Sequence, residues 1–353
     1  MECAKIIRYP TNGWGIIPAC SFNIGFTGTK KAYRLNGSRV QFSHLDQKDD
    51  KACLKPLVSV IIPTYKRADM VVHAVESVLN QTYTNLEVIV VNDNKPEYAE
   101  YNTTDQRLQQ ELNDGRLRII HTAGGTGGGA ARNYAVSQAR GEYLAFLDDD
   151  DEFEPDKIET QLRFMLDNNL DCSYQDVSWY DADTGKLVEH RRLNHVKDFS
   201  KTGLLRAHVL TPISPTAIYM LKTSLFRRTK GFGEVLVGQD WFLMLRCIEA
   251  GAKIGYMPEV HVRQYLHKGT RLSLGNNKLI GENKLYKVRR TYFPYLSPAE
   301  RRYVKFRHYA VLAFASARRR QWVRAAKYAV ESFAASPTAF FRQIPIYFKS
   351  SKY

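Results

Sequence analysis

Four consecutive carboxylates, Asp148-Asp-Asp-Asp151, stand directly behind the apolar stretch Glu142-Tyr-Leu-Ala-Phe-Leu147. A buried strand that ends in such a run concentrates negative charge at one sheet edge, a state best tolerated beside a divalent cation. Hard oxygen donors suit magnesium or manganese. Magnesium-type ions take one or two protein carboxylates and complete their shells with substrate phosphates and water. The expected chemistry is therefore a metal, Mn2+ or Mg2+, that holds a diphosphate. The plain alternative is a solvated acidic turn, and the apolar strand in front of the run argues against it. A further carboxylate, Asp240, opens a helix carrying Trp241, Leu245 and Ile248 and closed by Gly251. By itself it reads as a capping residue. Trp241 reads as core or as a wall of an acceptor site, with core favoured.

The elements that must position these groups begin at residue 57. Leu57-Val-Ser-Val-Ile-Ile62, closed by Pro63, reads as a strand buried on both faces of a parallel sheet. A helix follows, with Val71, Val72, Val75, Val78 and Leu79 on one stripe and Asp69 near its start. Leu86 to Val91 reads as a second strand ending at Asn92-Asp93, Arg116 to Ile120 as a third, and Glu142 to Leu147 as a fourth. The helix of Ala130 to Ala139 lies between the last two, and Pro155 opens another carrying Ile158, Leu162 and Met165. Strands and helices in alternation imply an α/β, doubly wound, mostly parallel sheet, whose ligands gather beyond the carboxyl ends of the strands. Pro63, Asp93 and the acidic run all fall there. Residues 171–235 are more irregular and read as extra strands, including Pro215-Thr-Ala-Ile-Tyr-Met220.

One motif points elsewhere. Gly125-Thr-Gly-Gly-Gly-Ala130 follows a strand and precedes a helix, with Asp148 about 20 residues on, as in a dinucleotide fingerprint. A nucleotide-dependent oxidoreductase would use it, but would leave Asp149 to Asp151 without a task and would normally place it after the first strand.

Several segments together resemble the family 2 glycosyltransferases of the GT-A fold. They are Val60-Ile-Ile-Pro-Thr-Tyr-Lys-Arg67, Val90-Val-Asn-Asp93, Gly128-Gly-Ala-Ala-Arg-Asn133, Gly141 to Asp151, and Gly238-Gln-Asp-Trp-Phe-Leu-Met-Leu-Arg246. The resemblance implies that Pro63, Thr64 and Tyr65, with Arg67, line a nucleotide pocket and that Asp93 accepts from the base, commonly uracil. It implies that Arg132 holds the nucleotide and that Asp148 faces the ribose. It makes Asp150 the metal ligand, with Asp149 or Asp151 in support, and Asp240 the base of an inverting transfer. The family often has Glu-Asp where this chain has Gln239-Asp240, which also leaves room for a non-catalytic sugar-binding scaffold. His267-Lys-Gly-Thr-Arg-Leu-Ser273 resembles the segment that closes over the diphosphate, with Arg271 on phosphate oxygens and His267 on phosphate or metal. The implied donor is a nucleotide sugar, expected to be a UDP-sugar, and the acceptor a hydroxyl of a glycan or lipid-linked glycan in cell-surface polysaccharide synthesis.

The 353 residues are 44% hydrophobic and 25% charged, an ordinary composition for a chain that buries a core. Residues 1–55 form an extension to which the sequence assigns no role, 56–280 the catalytic domain, and 281–353 a basic helical tail. Residues 301–353 hold twelve Lys or Arg against Glu331, a net +11 of the chain's +15. Tyr303, Phe306, Tyr309, Val311, Phe314 and Trp322 are interleaved with that charge, the composition of a helix lying on an anionic membrane surface. A helical cap packed on the catalytic domain is the alternative. No nucleic-acid motif accompanies the charge. Five cysteines without a metal-site spacing, no apolar run of spanning length and no secretory pattern at the start place the expected protein in the cytoplasm, peripheral on the inner face of the membrane.

Overall fold

The computed structural model describes residues 56–233, 235, 237–267 and 276–350, and four N-terminal strands, with the side chains of 276 and 344–350 excepted. The chain divides into two compact units, Met1–Pro56 and Leu57–Tyr353. In the first, β1 (Lys5–Arg8) pairs antiparallel with β2 (Trp14–Ile17), and β3 (Tyr33–Leu35) with β4 (Ser38–Val40).

The second unit opens with β5 (Val58–Thr64), α1 (Val71–Leu79), β6 (Leu86–Asn92), α2 (Ala99–Arg107), β7 (Leu117–His121), α3 (Gly128–Gln138) and β8 (Tyr143–Phe146). There follow β9 (Asp151–Phe153), α4 (Lys157–Asp167), β10 (Cys172–Asp181), β11 (Leu187–Arg191), α5 (Lys201–Leu210), β12 (Met220–Lys222), α6 (Thr223–Arg228), α7 (Gln239–Glu249) and β13 (Ile254–Leu266). Helices α8 (Asn276–Thr291), α9 (Pro298–Arg318), α10 (Trp322–Ala335) and α11 (Pro337–Ser350) complete it.

The sheet runs β7-β6-β5-β8-β12-β10-β13-β9, with β11 added to β10. Its first four strands are parallel, as the run of Val and Ile on both faces of β5 and β6 requires. The second half mixes directions: β12 is antiparallel to β8 and β10, β10 is parallel to β13, and β9 is antiparallel to β13. Pro215–Met220, read above as a strand, is instead a single 3-10 turn, Thr216–Ile218, leading into β12. From β5 the strand order goes to β6 and β7 on one side and to β8 on the other. That reversal opens a crevice beyond the carboxyl ends of β5 and β8, the usual ligand position in such sheets. Thr64 ends β5 and the acidic run follows β8, so the topology alone brings them together.

The parallel half is fastened at its other end by a buried carboxylate. Glu87 accepts from Ser59 Oγ at 2.6 Å, from the Arg140 backbone N–H at 2.7 Å and from the Arg140 and Arg118 guanidinium groups at 2.9 and 3.1 Å. Burial pushes this carboxyl up, but its donors outweigh that and hold it below the ordinary value.

The first C-terminal helices are part of the scaffold. Arg289 of α8 lies over the ring of Trp241 at 5.4 Å and donates to Glu282 at 3.3 Å. His308 of α9 stacks on Tyr286 at 3.9 Å and lies 3.3 Å from the same carboxylate. Phe306 is fully buried among Ala310, Ala335 and their neighbours, so this part of the expected membrane face is interior. Helices α8 to α11 thus belong to the same compact unit as the sheet.

Helix α7, which carries Asp240, is fixed to α5 by a reciprocal pair. Trp241 Nε1 donates to the His208 carbonyl at 3.2 Å, His208 Nε2 donates to the Trp241 carbonyl at 3.0 Å, and the two rings stack at 5.2 Å. His208 Nδ1 accepts from the Ile213 N–H at 3.1 Å, so the imidazole sits neutral. Burial pushes its pKa down to about 3. The unfolded chain, with a His pKa of about 6.5, therefore binds this proton first. The stability that His208 contributes is complete above about pH 6.5 and is lost as pH falls toward 3. Urea midpoints measured at pH 7 and pH 5 should fall for the wild type and fall distinctly less for His208→Gln. An identical pH slope in the two proteins would remove His208 from the linkage.

Candidate active site

The acidic run does not behave as four equivalent carboxylates, because successive residues leave the strand in different directions. Asp148, Asp150 and Asp151 converge, with one oxygen of each within 4.8 Å of the others. Asp149 turns inward: it is 5% exposed, accepts from Thr64 Oγ1 at 2.7 Å, and pairs with Arg67 Nη1 at 3.1 Å. Asp149 thereby ties the segment after β8 to the end of β5. Thr64 is buried in that bond, so it too braces the crevice.

Each member of the convergent trio has its own holder. Asp148 pairs with Arg132 Nη2, and Arg132 Nη1 donates to Gln239 Oε1 at 3.2 Å. Asp150 pairs with Arg67 at 2.6 Å and has His267 Nε2 at 3.6 Å. Asp151 accepts the backbone N–H of Tyr265 at 3.0 Å and the amide of Gln264 at 3.1 Å. The roles of Gln264 and Tyr265 were not visible in the sequence, since β9 meets β13 across more than a hundred residues.

The electrostatics follow from this crowding. Burial pushes Asp149 up to about 6 against the pull of Arg67. Asp150 is raised by burial and then by Asp148, with Arg67 and His267 opposing. Asp151 is raised well above the carboxylate range by burial, then by Asp150 and Asp148. Three converging, mutually repelling oxygen donors, Asp151 buried and the other two partly so, with an imidazole alongside match a hard divalent cation. Asp148, Asp150, Asp151 and His267 are the residues that would hold it.

Asp240 lies at the second position of α7, with Gly238 at the N-cap. Burial raises its pKa; the Trp241 N–H draws it down, Asp148 pushes it up and Arg132 draws it down. It thus shares one electrostatic neighbourhood with the acidic run, although it arrives from another part of the chain. Gln239 occupies the position where a second carboxylate was expected and holds Arg132, while its amide nitrogen donates to the Val235 carbonyl at 3.0 Å. Gly129 makes room for this pair, since a Cβ there would stand 3.1 Å from the Gln239 side chain. Trp241 is buried core.

Asp93 is buried at the end of β6 and held by the glycine loop. Its Oδ1 accepts from the hydroxyls of Thr122 and Thr126 and from the Thr126 N–H, and its Oδ2 accepts from the Gly127 N–H at 2.9 Å. The glycine loop therefore gives its N–H groups to an internal carboxylate rather than to a pyrophosphate. Gly127, at φ +91°, makes that turn possible. The loop follows β7, the outer edge strand, so both features count against the dinucleotide alternative. Pro63 and Tyr65 lie at the crevice mouth, with Tyr65 exposed and edge-on to Tyr98 at 6.4 Å and Lys66 Nζ 4.0 Å from the Tyr98 ring. Arg271 lies outside the described residues.

A family model described as glycosyl transferase family 2 matches residues 59–227. An uncharacterized glycosyltransferase of Methanocaldococcus jannaschii, MJ1057, is 30% identical over 207 residues, covering 58% of this chain and 69% of that protein. The Escherichia coli protein named UDP-Glc:alpha-D-GlcNAc-diphosphoundecaprenol beta-1,3-glucosyltransferase WfgD is 30% identical over 150 residues, 42% of this chain and 57% of that one. Among solved structures, the mannosyltransferase PcManGT of Pyrobaculum calidifontis, in complex with GDP-Man and Mn2+, matches with a TM-score of 0.54 at 19% identity, covering 85% of this chain and 81% of that one. The chain spans less than half the length of several curated relatives it matches, from 18% to 46%. With the GT-A sheet and the acidic crevice at its switch point, these matches lead to one conclusion: the chain belongs to glycosyltransferase family 2.

Proposed function

We propose that this glycosyltransferase moves a sugar from a nucleotide sugar, expected to be a UDP-sugar, to a hydroxyl of a glycan or lipid-linked glycan, with inversion and with Mn2+ or Mg2+. The carrying observation is the convergence of Asp148, Asp150, Asp151 and His267 at the switch point, with Asp240 in the same electrostatic neighbourhood. The names of relatives support the finer points. One is named for UDP-Glc and a diphospholipid-linked acceptor, and a structural neighbour was solved with GDP-Man and Mn2+.

In this reading Asp148, Asp150, Asp151 and His267 would hold the cation, which would supply neutralisation of the charge developing on the leaving diphosphate. Pro63 and Tyr65 border the base, Arg67 and Arg132 hold Asp150 and Asp148 in place, and His267 borders the diphosphate with Arg271. Asp240 takes the acceptor proton. Its raised pKa makes it a stronger base than an exposed carboxylate. Base and leaving group on opposite faces give inversion, by analogy with inverting glycoside chemistry. Asp240→Asn should lower transfer by about 10²–10⁴-fold while UDP affinity stays within about twofold. Unchanged transfer would favour a sugar-binding scaffold.

Metal dependence has its own check. Asp150→Ala should weaken Mn2+ binding at least about tenfold, read from the free-manganese signal in electron paramagnetic resonance, and UDP should no longer bind more tightly when manganese is added. Retained affinity would move the metal elsewhere.

The same reading places the enzyme on an anionic membrane surface, where a lipid-linked acceptor lies. Among the described residues no helix is long and apolar enough to cross a bilayer. Helix α10 instead presents Val323 and Val330, exposed by 86% and 67%, on one side, with Trp322, Phe333 and Phe341 exposed nearby. Arg318, Arg319, Arg320, Arg324 and Lys327 stand next to them along the chain. This pattern suits a helix lying in the headgroup layer. Val323→Glu with Val330→Glu should weaken sedimentation with phosphatidylglycerol vesicles several-fold and leave UDP binding intact. Full retention on vesicles would make the tail purely structural.

A further inference from the structure

A row of side chains leads from the acidic run on the terminal strand β9 inward across β13 and β10 to β11. Gln264 donates its amide to Asp151 and accepts from Trp179 Nε1 at 2.8 Å. The strand register pairs Trp179 with Gln264 and Gln264 with Asp151. Two interstrand steps of about 4.8 Å set the tryptophan roughly 10 Å from the run. That distance accommodates a sugar ring and its linkage.

At the end of this row the guanidinium carbon of Arg191 lies 4.2 Å from the centre of the Trp179 ring. No carboxylate, carbonyl or hydroxyl among the described residues accepts a hydrogen bond from it. Burial lowers its pKa; Glu189 opposes that, and Arg307 of α9 adds to it. His195 is likewise drawn down, first by burial and also by Arg307, Lys197 and Arg191. Arg307 donates to the Leu210 carbonyl, His195 Nε2 to the Thr211 carbonyl at 3.1 Å and Lys197 to the Asn194 carbonyl at 2.7 Å. None of the four basic groups forms an ion pair among the described residues. The loop they lean on continues to Ile213, whose carbonyl accepts from Tyr219, and that hydroxyl lies 3.5 Å from the Asp240 carbonyl.

A half-buried guanidinium that makes no hydrogen bond to the described residues, held over an indole among cationic neighbours, is free to take an anionic ligand in place of solvent. A bidentate oxyanion would satisfy it, and the indole already holds the planar fork in place. We propose that Arg191, positioned by Trp179 and backed by Arg307 and His195, binds an oxyanion carried by the acceptor, a phosphate ester or a sugar carboxylate. This subsite rests on the glycosyltransferase reading above and gives the acceptor its charge.

The test uses the full chain saturated with UDP and Mn2+, so that the diphosphate pocket is filled. Ligand-observed NMR titrations with methyl glucuronide, N-acetylglucosamine 1-phosphate and methyl glucoside then compare wild type with Arg191→Gln. At least one anionic probe should bind more tightly than the glucoside, and the variant should lose that affinity by about tenfold or more. Binding of the glucuronide alone points to an acidic sugar, and binding of the phosphate alone to a phosphorylated acceptor. The proposal is overturned if neither anion outcompetes the neutral sugar, or if Arg191→Gln binds the anions as the wild type does. UDP affinity, measured first in both proteins, keeps the two claims apart. If the wild type does not bind UDP, the donor assignment fails. If only the variant loses UDP, Arg191 belongs to the donor site and the acceptor subsite falls.

Discussion

Three carboxylates held within 4.8 Å of one another at the end of a buried strand are the constraint on which the rest of the molecule is arranged. Ionised together they repel, and burial and mutual charge both push the pKa values of Asp150 and Asp151 up. The fold answers with fixed partners. Arg132 stands on Asp148, Arg67 and His267 on Asp150, and the amides of Gln264 and Tyr265 on Asp151. Asp149 turns the other way and clamps the strand ends through Thr64. The run is thus a braced charge cluster rather than a solvated turn, and the braces come from β5 and the residues just after it, from α3, and from β13 and the residue after it.

These braces explain why distant parts of the chain bear on one crevice. Arg132 reaches across to Gln239 and so couples α3 to the helix that carries Asp240. That helix is locked to α5 by the His208–Trp241 pair and covered from α8 by Arg289. The C-terminal helices therefore have two characters. Helices α8 and α9 complete the scaffold through a buried Glu282, Arg289 and His308 cluster, in which His308 and Arg289 hold the glutamate low against its burial. Helix α10 turns an apolar and basic surface outward.

Much of this was legible in residue patterns. The apolar runs of β5, β6 and β8 and the stripe of α1 mark the parallel half, because burial on both faces of a strand, or on one face of a helix, leaves a periodic trace. Helix α2 left none: Ala99–Arg107 is polar, with Thr104 alone buried. The turn at Thr216–Ile218 mimicked a strand because it is buried and rich in apolar residues. The pairings of Asp151 with Gln264 and of Arg132 with Gln239 span 113 and 107 positions, and no local pattern encodes them. Asp93 was identified as a carboxylate of consequence from its place at the end of β6, but its partners are set by how the glycine loop folds back. The aromatics of α9 looked like a membrane face because helical spacing alone does not say which side a neighbouring helix covers, and Phe306 proved to be inside.

The central claim is that the acidic run grips a divalent cation together with a nucleoside diphosphate. The most direct measurement is an anomalous-difference map at the manganese edge from crystals soaked with UDP and Mn2+. The account predicts one strong peak within about 2.5 Å of an Asp150 oxygen, with diphosphate density on its other side. A peak elsewhere, or UDP bound in the crevice with no peak at Asp148, Asp150 or Asp151, would contradict it.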